Sequence, residues 1–126
     1  FVAINSVLEV DLFGQANAEF MKGRQVSGIG GLANFLRGAG ASKGGLPIVA
    51  LPSTAAKGKI SRIVPRLGLE ATSLPRSDIA WVVTEHGAVN LWGADIDTRA
   101  ERLISIADPA HQDMLENAWA DMRRAV

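Results

Sequence analysis

The sequence contains no cysteine. That excludes disulfides, thiolate metal sites and a cysteine nucleophile. Histidine is scarce: His86 and His111 lie far apart in the chain, so a zinc site has little to work with and no metal is expected. Neither sign of charge is in excess, because 13 basic and 13 acidic residues cancel. No polyanion-binding surface is advertised, and nucleic acid is not an expected partner. No apolar run approaches the length of a membrane span, and no signal-peptide pattern opens the chain. The expectation is therefore a cytoplasmic protein without a membrane partner.

What is present fits a globular α/β protein. The 126 residues, 48% apolar and 21% charged, predict one domain over 1–126 with a real core. The chain begins with Phe1, and "FVAINSVLEV" opens as a strand already under way, which suggests a piece of a longer protein. Leu8, Val10 and Leu12 alternate with Glu9 and Asp11, the period of a half-buried strand with its acids toward solvent. Phe13-Gly14-Gln15 offers a turn, and "ANAEF" a short returning partner. Leu32, Phe35 and Leu36 in "LANFLRGAG" are spaced for a short helix ended by Gly38 and Gly40, and "ASKGGL" follows as loop. "PIVALP" (47–52) suits a fully buried strand, "STAAKGK" a polar loop, and "KISRIV" and "DIAWVVTE" (78–85) two further strands.

Two helices close the chain. In the first, Ala100, Leu103, Ile104 and Ala107 share a face, with Asp97 as N-cap; Asp95 and Asp108 have the same capping character. Asp108-Pro109 breaks that helix and starts the second. Along it His111, Met114, Leu115, Ala118, Trp119 and Met122 form one packed face, and Arg123 and Arg124 suit the dipole of the last turn.

Three stretches could carry chemistry. "QVSGIGGLANF" (25–35) sets Gly28, Gly30 and Gly31 between a strand-like stretch and a helix start, where free backbone N–H groups can hold a phosphate or an oxyanion. A purely structural turn is the alternative. Ala33 stands where a dinucleotide fingerprint needs its third glycine, and no Gly-Lys-Ser/Thr follows for a P-loop. "TEHG" (84–87) places Glu85 directly after an apolar strand, where α/β sheets build their sites. There it could be a general base, a nucleophile, a hydrogen-bond acceptor or a solvated strand end. In extended chain His86 points to the opposite side, so no Glu–His pair is implied. "PSTAAKGK" (52–59) joins two hydroxyls to Lys57 and Lys59, either as a phosphate-holding loop or as ordinary solvated surface.

Taken together, "INSVLEVDLFGQANAE", "SGIGG", "ALPSTA" with "KISRIVPRL", and "WVVTEHG" with "LWG" occur in order along nearly the whole chain. In that order they resemble the C-terminal region of the acetyl-CoA hydrolase/transferase family, which includes acetate and 4-hydroxybutyrate CoA-transferases. The resemblance implies a CoA-transferase-like (NagB/RpiA-like) α/β domain: a mixed sheet flanked by helices, with two C-terminal helices. It implies a coenzyme A thioester as substrate and no permanently bound cofactor. A small carboxylate, the N-terminal half of the parent protein and, as a homodimer, a second copy are the implied partners.

In that family a glutamate attacks the acyl-CoA and becomes a glutamyl-CoA thioester, and its motif is expected upstream of this chain. Gly31 is the implied backbone donor to the oxyanion, with Gly28 and Gly30 in the same turn, and Glu85 matches an active-site glutamate that orients but does not attack. Two positions depart from the family pattern. Asn34 replaces an aspartate, and Ala56 stands where Lys or Arg usually follows Ser-Thr-Ala, so the implied CoA contact falls to Lys57, one position on. The alternative is a non-catalytic binding or assembly module that keeps this fold.

Overall fold

The computed structural model describes residues 2–17, 20–21, 24–25, 46–67 and 79–124. The helix expected over Leu32–Leu36 and the glycine cluster lie outside these residues. The central element is a four-stranded mixed sheet in the order β1 (Val2–Ser6), β6 (Leu46–Ala50), β10 (Trp81–Thr84), β11 (Gly87–Asn90). β1, β6 and β10 run parallel, and β11 returns antiparallel beside β10.

A second sheet is ordered β3 (Ala16–Asn17), β2 (Glu9–Asp11), β9 (Ile63–Val64), with β2 antiparallel to β3 and parallel to β9. Two small hairpins pair β4 (Phe20–Met21) with β5 (Arg24–Gln25), and β7 (Thr54–Ala55) with β8 (Ile60–Ser61). The expected partner strand in "ANAEF" is β3. Helices α1 (Ile96–Ser105) and α2 (Pro109–Arg124) end the chain. α1 packs beside β11 and against α2.

Only Val7 and Leu8 separate β1 from β2, yet they carry the chain from one sheet to the other. The Val7 N–H donates to the Ala50 carbonyl beside the first sheet at 3.1 Å, and the Leu8 N–H to Asn17 in the second at 2.8 Å. Arg62 does the same between β8 and β9, its N–H bonding the Ser53 carbonyl and its carbonyl accepting from Val10. "KISRIV" is therefore not one strand but two that belong to different sheets. "STAAKGK" likewise is not only a loop, because Thr54–Ala55 pairs with Ile60–Ser61. In "DIAWVVTE" the strand proper is Trp81–Thr84, with Glu85 in the turn beyond it. β6 is not buried on both sides: Pro47 and Val49 are buried, whereas Ile48 and Ala50 are half-buried.

One core joins these parts. Val49 and Val82 of the main sheet, Val10 and Ile63 of the second, Ala100 and Leu103 of α1 and Leu115 of α2 are buried in one cluster. Burying each large aliphatic side chain contributes about 1.5–3 kcal/mol.

Three further expectations need correction. Asp95, not Asp97, caps α1: its extended backbone (φ −72°, ψ 175°) lets its carboxylate accept the Thr98 N–H at 2.8 Å. Asp97 sits in the first turn instead, bonded to Trp119 Nε1 at 3.0 Å and to Arg123 Nε at 2.9 Å. Met114 is exposed, so the packed face of α2 is narrower than its apolar pattern.

Asp11 is the third. It is fully buried, because the chain turns sharply after β2 and uses its carboxylate as the turn's acceptor. Its Oδ1 accepts the Phe13 and Gln15 N–H groups, each at 3.0 Å. Its Oδ2 accepts Gln15 Nε2 at 3.1 Å and the Leu67 N–H at 3.2 Å. Burial nevertheless raises its pKa above the ordinary value, with the bonds from Gln15, Leu67 and Phe13 opposing that rise.

Candidate functional site at the ends of the parallel strands

Because β1, β6 and β10 run parallel, their C-terminal ends reach the same edge of the sheet. Ser6, Ala50, Leu51, Pro52, Val83 and Thr84 line an open cleft there of about 280 Å³. Open α/β sheets place ligands at this edge, where the chain leaves the strands and side chains of several loops converge.

Glu85 is the first residue past β10. Its Oε1 accepts the Ser53 N–H at 2.7 Å, a bond across 32 residues of sequence. Ser53 follows β6 at the same edge and is itself fixed, since its carbonyl accepts the Arg62 N–H at 2.8 Å. The Leu51 N–H bonds the Val83 carbonyl at 3.1 Å, which extends the contact between the two strand ends.

The turn bearing Glu85 is anchored from below. Thr84 is buried, its Oγ1 donating to the Ile106 carbonyl just past α1 at 2.6 Å and accepting the His86 N–H at 3.1 Å. The chain then turns back through Gly87, whose φ of +150° few side chains tolerate.

The Ser53 N–H lowers the Glu85 pKa most; slight burial opposes this, and its own N–H, the Ser53 hydroxyl and His86 add smaller downward pulls. Glu85 is thus an exposed anion at neutral pH, fit to accept a hydrogen bond or a proton and unfit to donate one. His86 turns away from it, its Nε2 lying 3.7 Å from Asp108 Oδ2.

Lys57 stands apart from this arrangement. It occupies the tip of the β7–β8 hairpin, where Ala56, Lys57 and Gly58 have φ of +53°, +57° and +87°. The Lys59 N–H closes that turn on the Ala56 carbonyl at 3.3 Å, and His111 Nε2 lies 2.8 Å from the Gly58 carbonyl. His111 therefore serves α2 by docking this tip. No hydrogen bond or ion pair among the described residues joins Lys57 to Glu85. Gly28, Gly30 and Gly31 lie outside the described residues. What sequence reasoning missed is the role of Ser53: its hydroxyl was noted within "PSTAAKGK", but its pairing with Glu85 depends on β6 and β10 being neighbours.

Among the described residues no group of three histidine, aspartate or glutamate side chains gathers to hold a metal ion. No helix among them is long and apolar enough to cross a membrane.

Comparison with known proteins agrees with this architecture. Residues 1–119 match the model of the acetyl-CoA hydrolase/transferase C-terminal domain. The 4-hydroxybutyrate coenzyme A transferase of Clostridium kluyveri is 47% identical over 119 residues, covering 94% of this chain and 28% of that protein. The crystal structure of RipA from Yersinia pestis superposes with a TM-score of 0.86 at 46% identity, over 96% of this chain and 26% of that one. The 4-hydroxybutyrate CoA-transferase of Porphyromonas gingivalis superposes with a TM-score of 0.76 at 44% identity, over 99% of this chain and 27% of that one. The chain thus spans little more than a quarter of the length of these relatives. Matched along nearly all its residues in sequence and in fold, the chain belongs to the acetyl-CoA hydrolase/transferase family and corresponds to its C-terminal domain.

Proposed function

We propose that this chain is the C-terminal part, one domain over 1–126, of an acyl-CoA:carboxylate CoA-transferase or acyl-CoA hydrolase. The observation that carries this reading is the ionised Glu85, held by the Ser53 N–H beside the cleft at the strand ends. The substrate is a coenzyme A thioester, and the N-terminal part of the parent protein is the partner that completes the site.

The chemistry runs through a glutamate outside this chain. Its carboxylate adds to the acyl-CoA carbonyl, and collapse of the tetrahedral adduct expels CoA thiolate and leaves a mixed anhydride. The thiolate attacks the glutamyl carbonyl, releasing the first carboxylate and forming a glutamyl-CoA thioester. An acceptor carboxylate reverses these steps to give the new acyl-CoA, whereas water ends them as free acid and CoA. Each addition builds negative charge on oxygen, and the Gly31 N–H stabilises it, with Gly28 and Gly30 leaving the main chain bare enough for the thioester to approach. Lys57 reaches the CoA moiety by charge. Glu85, as a fixed acceptor, orients the reacting group and does not attack.

Exchange of labelled acetate into acetyl-CoA by the full-length protein, with free-CoA release followed in parallel, tests the assignment. Glu85→Gln should lower turnover roughly 100-fold, the lower end of what a positioned acid–base or orienting carboxylate contributes. Near-normal rates in that variant would remove Glu85 from the site.

A further inference from the structure

The hydroxyl of Ser53 is the one buried side-chain polar atom with no partner in hydrogen-bonding position among the described residues, although it lies near enough to Glu85 to help lower its pKa. Other buried hydroxyls are satisfied: Ser61 Oγ donates to the Ile63 carbonyl and Thr84 Oγ1 to the Ile106 carbonyl, each at 2.6 Å. A buried hydroxyl left unpaired is costly, and an alanine would fill nearly the same space without that cost. Every other polar group of Ser53 is engaged, its N–H by Glu85 Oε1 and its carbonyl by the Arg62 N–H. The main chain of the residue is therefore held on both sides, and the hydroxyl is left to rotate beside a carboxylate that already bonds its N–H.

We propose that Ser53 is the positioning residue of Glu85: its main-chain N–H holds one carboxylate oxygen, and its hydroxyl swings in as a second donor to the same carboxylate. The inference rests on the functional reading of Glu85 given above. A carboxylate bound by a single N–H still pivots about that bond. Two donors from one rigid residue remove the pivot, so Glu85 meets the acyl-CoA or the acceptor in one orientation. The arrangement also keeps the hydroxyl from competing for substrate, because Ser53 is fully buried while Glu85 is exposed. Among the described residues, the titratable groups at the turn besides Glu85 are His86, adjacent in the chain, and Asp108, which faces His86 at 3.7 Å.

The test is carboxyl titration of Glu85 by NMR in the full-length protein labelled at glutamate Cδ, with Glu85→Gln identifying its signal. Ser53→Ala removes the hydroxyl and keeps the N–H. The titration midpoint should rise in that variant, and Ser53→Cys, a weaker donor of similar size, should give an intermediate rise. The exchange rate should fall about fivefold in Ser53→Ala and should not fall further when Ser53→Ala is added to Glu85→Gln, because residues acting as a unit are not additive. An unmoved midpoint, or an undiminished effect of Ser53→Ala in the Glu85→Gln background, would overturn the proposal. A raised midpoint with a Glu85→Gln variant of normal activity would instead uphold the clasp and refute the functional reading.

Discussion

Asp11 and Glu85 are both carboxylates at strand ends, and their surroundings drive them in opposite directions. Four donors converge on the buried Asp11, yet desolvation wins and its pKa rises. Glu85 is exposed, so one short bond from Ser53 wins and its pKa falls. Two stability trends of opposite sign follow. Between the ordinary Asp value and the raised native one, the folded state binds more protons than the unfolded, so the Asp11 contribution falls as pH rises through that window. For Glu85 the contribution is present above its ordinary value and is lost as pH falls through the lowered native one. Asp11→Asn isolates the first trend. Its amide must turn an NH₂ toward two donors, which should cost about 1–3 kcal/mol. In urea unfolding, the wild type's advantage over Asp11→Asn should narrow as pH rises through the window; a gap that widened would contradict the assignment. The alternation of Leu8, Val10 and Leu12 was legible in the sequence, but it put Asp11 on the solvent side. Periodicity reports a strand's faces and is silent about a turn that folds back over one of them.

At the scale of elements, the β10–β11 hairpin shows how the site is held. Its strand β10 was legible from the apolar run at Trp81–Val83, but β11 was not, because Gly87-Ala88-Val89-Asn90 has little β-branched character and no clear alternation. What fixes the hairpin is Thr84, whose hydroxyl ties it to the carbonyl of Ile106 and so to the end of α1. Thr84→Val keeps the shape and leaves that carbonyl and the His86 N–H without their partner. It should destabilise the fold by about 1–3 kcal/mol, read as a lower urea midpoint, and should raise KM by loosening the turn that carries Glu85. Thr84→Ser retains the hydroxyl and should stay close to wild type in both. Equal losses in the two variants would mean that the methyl group, not the hydrogen bond, secures the turn. The same scale explains the helix caps. Asp95 and Asp97 are equally suited by type, and only the backbone conformation at Asp95 brings its carboxylate over the Thr98 N–H.

At the scale of the whole molecule, the two sheets share one core and are stitched at Val7–Leu8 and at Arg62, so the edge carrying Glu85 is rigidly tied to the rest. In the functional reading the attacking glutamate is not among these residues, and the isolated chain should neither exchange acetate into acetyl-CoA nor release CoA. Exchange by the chain alone would show that one of its own carboxylates attacks, and Glu85 would change from orienting group to nucleophile. Composition, apolar runs and short motifs by themselves determined the α/β class, the two terminal helices and the standing of Glu85 as a site candidate. These depend on neighbours within a few residues, which a sequence displays directly. Which strands lie side by side, that Ser53 reaches Glu85 across 32 residues, and that the hairpin tip beside Lys57 is docked on α2 by the bond between His111 and the Gly58 carbonyl were decided only by the tertiary structure. The physical reason is that hydrogen bonds between strand ends and burial of a carboxylate depend on which distant segments pack together, and short-range pattern carries no record of that choice.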